Sequence, residues 1–182
     1  MKRLYLSTIF FFVLHTSMHA QESQQKLSLK DRLFFGGGIT ANFGNVTVLG
    51  ASPIVGYKFN NKLSAGVGVE YLYYREKWNR VLYETSIYGG NVFSRYRISD
   101  RLFAHAEYGF VNWEIPVFDP IKYIYTTERR NVPHLYLGGG FIQPIGERSS
   151  FVIMALYDAL YNPLQSANPS PFIFRAGFNV GF

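Results

Sequence analysis

The sequence predicts an all-β fold in which eight antiparallel strands run up and down around a barrel. Three observations lead to it. Apolar residues alternate with small or polar ones along most of the chain, short and long connections alternate between these runs, and the apolar face is the bulkier one. Aromatic residues make up 18% of the 182 residues and charged residues 16%, and cysteine is absent. This composition excludes an intrinsically disordered chain and a disulfide scaffold.

The N-terminus has the layout of a secretory signal peptide. Lys2 and Arg3 precede an apolar stretch over 4–14, and a short polar segment then ends at Ala20. The stretch is too short for a transmembrane helix, which needs about 20 apolar residues. An uncleaved anchor or a buried core helix is the alternative interpretation. We expect residues 1–20 to be removed, residues 21–32 to form a polar lead-in, and residues 33–182 to form the barrel.

Eight alternating runs predict the eight strands, because period-two alternation is typical of half-buried strands. In the first run Phe34 breaks the alternation. The seventh run is apolar on both faces apart from Asp158, so it is the run in which the inward and outward residues are least clearly defined. The runs cover 33–43, 55–59, 63–73, 88–98, 102–110, 134–145, 151–160 and 172–182.

The connections between these runs predict an up-and-down meander. Three are short and contain the Asn, Asp, Gly and Ser residues that suit hairpin turns: 60–62, 99–101 and 146–149. Four are longer: 44–52, 75–84, 112–133 and 161–171. Since short and long connections alternate, all the short turns are expected at one end of the barrel.

The size of the side chains on the two faces decides which face points inward. An eight-stranded barrel has an interior just wide enough for its side chains. The face rich in Phe, Tyr and Leu would overfill that interior, whereas the face of Gly, Ser, Thr, Asn and scattered charges would fill it. The apolar face is therefore expected outside, where only lipid makes it stable. A closed barrel also satisfies its backbone hydrogen bonds in hydrocarbon. The prediction is an eight-stranded antiparallel transmembrane β-barrel.

With a signal peptide, eight alternating strands, short turns opposite long loops and a terminal aromatic residue, the chain resembles the small outer-membrane β-barrel family. This is the class of the outer membrane protein A transmembrane domain and outer membrane protein X, and the resemblance covers 33–182. It implies a bacterial outer-membrane location after signal-peptide cleavage, with outer-membrane lipid and the barrel assembly machinery as partners. It also implies that Phe174, Phe178 and the terminal Phe182 form the assembly signal.

The inward face carries charges of both signs, which predict a lumen closed by ion pairs. Asp158 and Arg175 are expected at matched depth on the last two strands, and Arg95 and Glu107 at diagonal reach across a tight turn. Charges in a narrow lumen are costly unless they are paired. The alternative is that they line a hydrated channel. The set is Lys58, Glu70, Arg95, Arg97, Glu107, Asp158 and Arg175.

Little in the sequence points to chemistry. Two histidines remain after processing, His105 and His134, and no serine stands near His134, so structural roles are expected for both. We expect no catalytic residue, cofactor or metal site, and the dispersed formal charge of +6 argues against a nucleic-acid partner. The leading interpretation is a non-enzymatic envelope protein with a structural or surface-interaction role, binding an extracellular partner through its long loops. A narrow pore for small solutes and a lipid-modifying enzyme are the alternatives.

Overall fold

The computed structural model describes residues 29–42, 46–78, 81–119, 124–166, 168 and 170–181. Within these ranges eight strands each pair antiparallel with the next, and the last returns to the first, so the sheet closes. The predicted eight-stranded antiparallel barrel is confirmed. The predicted signal peptide, most of the lead-in, Phe43 and Phe182 lie outside the described residues. A short helix α1 (Leu29–Arg32) precedes strands β1 (Leu33–Asn42), β2 (Val46–Lys58), β3 (Leu63–Trp78), β4 (Val81–Arg97), β5 (Leu102–Asp119), β6 (Ile124–Pro144), β7 (Ser149–Asp158) and β8 (Phe172–Val180).

The three predicted tight turns lie at one end of the barrel, called the turn end below. They join β2 to β3, β4 to β5 and β6 to β7. In the first, the Asn60 side-chain oxygen accepts the backbone N–H groups of Lys62 and Leu63 at 2.8 and 2.7 Å. In the second, the Ser99 hydroxyl accepts the N–H of Leu102 at 3.2 Å. Short polar side chains thus close these turns, as their composition predicts.

Three of the four predicted long connections are wrong, because strands extend into them. The β3–β4 register runs to Trp78 opposite Val81, and the β5–β6 register runs to Asp119 opposite Ile124. Likewise β2 begins within the predicted connection 44–52. In the hairpins that project beyond the barrel most side chains are exposed or only partly buried, so apolar and polar residues do not alternate clearly there. The connection between β7 and β8 does lack strand structure among its described residues.

The outer face of the barrel wall carries the large apolar side chains, as predicted. Large apolar side chains are exposed there on every strand. Val67 on β3, Tyr108 on β5 and Phe178 on β8 are examples, and each is more than half exposed. On β7 the inward residues are Ser150, Val152, Met154, Leu156 and Asp158, which settles the phase of that strand.

The inner face corrects the expectation of a lumen filled by small polar residues. An apolar cluster is buried on one side of the lumen and explains why β7 is apolar on both faces. It consists of Phe103, Tyr136, Ile142, Val152, Met154 and Leu156, with Ile173 packed against it. Glycines opposite the large rings create the room: a Cβ at Gly56 would overlap Phe34, and one at Gly140 would overlap Phe103. Each of these glycines therefore makes room for the large side chain directly opposite it on the adjacent strand.

Candidate functional site

The centre of the lumen is built around Glu107, an inward residue of β5. Nη1 of Arg175, from β8 on the far side of the lumen, donates to both carboxylate oxygens of Glu107 at 3.0 Å each. The carboxylate is buried. His134 on β6 places its Nε2 3.4 Å from the same carboxylate and stacks on Tyr136, with ring centroids 4.2 Å apart. Charge-assisted hydrogen bonds of this kind are the stronger ones in proteins.

A second histidine links Glu107 to another arginine. His105 Nε2 lies 3.1 Å from Glu107 Oε2, and Arg95 Nε donates to His105 Nδ1 at 3.3 Å. Since Nδ1 accepts a hydrogen bond from the guanidinium, the neutral ring must carry its proton on Nε2, where it donates to the carboxylate. The result is a chain Arg95–His105–Glu107–Arg175 that crosses the lumen from β4 through β5 to β8.

Aromatic rings surround the guanidinium of Arg95. Its central carbon lies 4.8 Å from the Phe93 ring and 5.3 Å from the Phe103 ring. Arg95 Nη1 has no hydrogen-bond partner in the described part of the chain, so these cation–π contacts offset part of its desolvation. Phe93 also stacks on His105 and contacts Phe34, with centroids 5.7 and 6.4 Å apart. We call this buried group of Phe34, Phe93, Arg95, Phe103 and His105 the aromatic layer.

The aromatic layer separates two cavities. The turn-end cavity has a volume of about 380 Å³ and is lined by Lys58, Arg97 and Arg148, with Arg95 at its floor. The upper cavity, on the other side, has a volume of about 580 Å³ and is lined by aliphatic residues together with Glu70, Glu107 and Arg175. Arg95 borders both cavities, so the lumen narrows at that side chain.

The seven predicted lumen charges all lie on the inner face, but the structure pairs them differently. Glu107 binds Arg175, and the predicted partner of Glu107, Arg95, reaches it through His105. The predicted Asp158–Arg175 pair is wrong. Asp158 Oδ1 instead accepts the backbone N–H groups of Leu135 and Leu160 at 3.1 and 3.0 Å.

The register of the last two strands explains this error. Phe151 on β7 lies opposite Phe178, so Arg175 is level with Met154 and not with Asp158. The predicted match with Asp158 thus places Arg175 four residues away from its level in the structure. Of the proposed assembly signal, Phe174 and Phe178 are exposed on the outer face of β8, while Phe182 lies outside the described residues.

Beyond the barrel, polar contacts join the projecting parts of β4, β5 and β6. Arg129 on β6 donates to Asn112 Oδ1 and to the Ser86 carbonyl at 3.0 Å each, and its Nε lies 3.4 Å from Glu114. The Tyr83 hydroxyl donates to Glu114 at 3.0 Å. Partial burial, together with this hydrogen bond, raises the pKa of the Tyr83 hydroxyl. These contacts hold the ribbons together as one surface.

Sequence reasoning missed the roles of the histidines and the aromatic layer. The aromatic layer could have been predicted in part from Phe34. This large residue lies on a face otherwise made of glycines and small polar residues, so the inside of the barrel must accommodate its ring. His105 is two residues before Glu107 on the inner face of β5, but its link to Arg95 depends on cross-strand register. Within the described ranges, no group of three or more His, Asp or Glu side chains is arranged to hold a metal ion.

Comparison of the sequence with family models and with curated protein sequences identified no match. No helix in the described part of the chain has the length and apolar character needed to cross a membrane.

Proposed function

We propose that this chain is a non-enzymatic outer-membrane β-barrel protein with a closed lumen and a structural or surface-interaction role in the bacterial envelope. The observation that carries the proposal is the outer apolar band. Large apolar side chains remain exposed around the whole barrel, including Val67, Val92, Tyr108, Leu137 and Phe178. A soluble monomer rarely exposes a contiguous apolar patch of this extent, and lipid is the solvent that stabilises it.

The two ends of the barrel differ in a way that suits this role. Short turns close one end, while two hairpins project from the other. β6, paired with β5, continues past its last partner in β7 by roughly 40 Å, at about 3.3 Å per residue. The contacts of Arg129 and Tyr83 stiffen this region. A polar, stiffened surface on a rigid scaffold is suited to contact a partner outside the cell.

A narrow pore for small solutes is the second candidate, because a cavity lies on each side of the aromatic layer. The packing of that layer favours the closed lumen. Arg95 is held between Phe93 and Phe103 and fastened through His105 to Glu107, so opening a path requires breaking several buried contacts together.

Two measurements test the proposal. Protein refolded into phosphatidylcholine vesicles is expected to migrate differently on a gel before and after boiling, as a stable barrel does, and to stay with the vesicles on flotation. Absence of both behaviours would contradict membrane insertion. In planar bilayers the wild type is expected to show no large, steady conductance, whereas a variant combining Arg95→Ala and Phe103→Ala is expected to conduct. A conducting wild type would favour the pore.

A further inference from the structure

The junction between the first and last strands is much shorter than the others. β1 pairs with β8 over three residues, with Phe35, Gly36 and Gly37 opposite Val180, Asn179 and Phe178. Every other neighbouring pair in the described barrel is registered over at least nine residues. Gly38 still lies against the Ala176 backbone, but the remaining parts of both strands, toward the hairpin end, are not registered with each other, and we call this region the lateral gap.

The backbone of β1 has an unusual conformation where the gap begins. Gly37 has a φ of +145°, a value that residues with a side chain rarely adopt. It lies opposite Pro53 on β2, which has no N–H to offer a neighbouring strand. Pro53 and Ser52 also interrupt the β2–β3 register. Gly37 and Pro53 thus lie together on the side of the wall where the β1–β8 pairing ends.

The lateral gap joins the upper cavity to the outer surface. Ile39 on β1 is 86% exposed and Phe174 on β8 is 79% exposed, and both belong to the outer apolar band. The same two residues also line the upper cavity. In an intact wall an outward residue does not border the lumen, because successive side chains point to opposite faces. At the lateral gap the cavity thus reaches the surface that faces lipid.

The lining of the upper cavity is suited to an amphiphile. Its wall includes Ile54, Leu72, Ile87, Val111 and Ile173, and its volume of about 580 Å³ lies within the usual range for small-molecule sites. Two buried polar atoms at this cavity, Asn91 Oδ1 and Asn179 Nδ2, have no hydrogen-bond partner in the described part of the chain. Asn91 on β4 and Asn179 on β8 lie on different sides of the barrel, and Asn91 Oδ1 by itself suits a group that donates a hydrogen bond.

We propose that the upper cavity binds a single-chain lipid, a long-chain fatty acid or alcohol, that enters from the membrane through the lateral gap. The alkyl chain lies among the aliphatic side chains, and the hydroxyl or protonated carboxyl group donates to Asn91 Oδ1. This inference rests on the proposed function, since it requires the barrel to lie in lipid.

The test uses a fatty acid with a photoactivatable diazirine in its chain, added to protein in phosphatidylcholine vesicles. Labelled residues are mapped by mass spectrometry. Label at outward Val67 and Val92 reports contact with bulk lipid. Label at Leu72 and Ile87 reports occupancy of the cavity.

Unlabelled fatty acid in excess is expected to remove the cavity label and to leave the outward label. Replacing Asn91 with Leu is expected to weaken the competition by about tenfold, the effect of one lost hydrogen bond.

Closing the gap tests the route of entry. If the short β1–β8 register continued, Ile39 would lie opposite Ala176, and both side chains point outward. Because the native chain has no cysteine, a disulfide can be introduced there as Ile39→Cys with Ala176→Cys. Oxidation is expected to abolish the cavity label and reduction to restore it. The matched control is Ser94→Cys with Ala106→Cys, which are opposite each other on β4 and β5 and also point outward.

The outcomes separate the two proposals. Outward label without saturable cavity label overturns the lipid site and leaves the outer-membrane barrel standing, whereas absence of both labels rejects membrane insertion itself. Cavity label that survives oxidation overturns entry through the gap. Disulfides between two chains through Ile39→Cys would identify a second copy as the occupant of the gap, and so overturn the proposal. If the disulfide variant does not fold, Leu72→Trp fills the cavity and is expected to abolish the saturable label.

Discussion

Arg175 and Glu107 form an ion pair that connects opposite sides of the barrel, with Nη1 of the arginine 3.0 Å from each carboxylate oxygen. The two residues are far apart in sequence and lie on β8 and β5, strands that are not neighbours in the sheet. The pair therefore acts across the lumen.

Removing the carboxylate should destabilise the barrel strongly. In Glu107→Ala the guanidinium of Arg175 loses its buried partner, and the loss of a buried charge's partner costs about 3–5 kcal/mol. The free energy of unfolding in urea, measured in phosphatidylcholine vesicles, checks this. The control is Glu128→Ala, which breaks the 2.7 Å contact with Arg130 between two exposed side chains and is expected to have little effect. Equal losses in the two variants would contradict the central role of Glu107.

The interaction energy between lumen charges should be large for the pair in contact, Glu107 and Arg175, and small for the pair predicted from the sequence, Asp158 and Arg175. A double-mutant cycle with Glu107→Gln and Arg175→Met is expected to give an interaction energy of about 1–3 kcal/mol, as residues in direct contact do. The corresponding cycle with Asp158→Asn and Arg175→Met should give a value near zero, because Asp158 binds backbone N–H groups. A strong Asp158–Arg175 coupling would restore the pairing predicted from the sequence.

An arginine on the outer band should be costly only if the barrel lies in lipid. Val67 is more than half exposed near the middle of the band on β3. Val67→Arg is expected to lower the free energy of unfolding in vesicles by about 2–4 kcal/mol, as charged residues do near the bilayer midplane. Thr126→Arg, at an exposed position on the projecting part of β6, is the control and should be neutral. A neutral Val67→Arg would argue that the band does not face lipid.

The C-terminal residue is expected to act in assembly. Phe182→Asp should reduce the amount of folded protein in the outer membrane of expressing cells, whereas Phe182→Tyr, which keeps an aromatic ring, should preserve it. Boiling-dependent gel mobility of membrane fractions measures the folded amount. Wild-type levels of folded Phe182→Asp would remove the argument for a terminal assembly signal.

Much of the barrel could be predicted because its information is local. Period-two alternation identifies the faces of each strand, and residues such as Asn60 and Ser99 close the tight turns through contacts two or three residues away. The same reasoning failed in the projecting hairpins. There, most side chains are exposed or only partly buried, and the strands that end at Trp78 and Asp119 resembled loops.

The sequence by itself determined the number of strands, the outward position of the bulky residues and the end at which the tight turns lie, because each depends on neighbours along one chain segment. Only the tertiary structure decided which lumen charges meet. Glu107 pairs with Arg175, and Asp158 does not, because the stagger between strands sets the depth of each residue. It also decided that β1 and β8 meet over three residues, since closing the sheet joins segments from opposite ends of the chain.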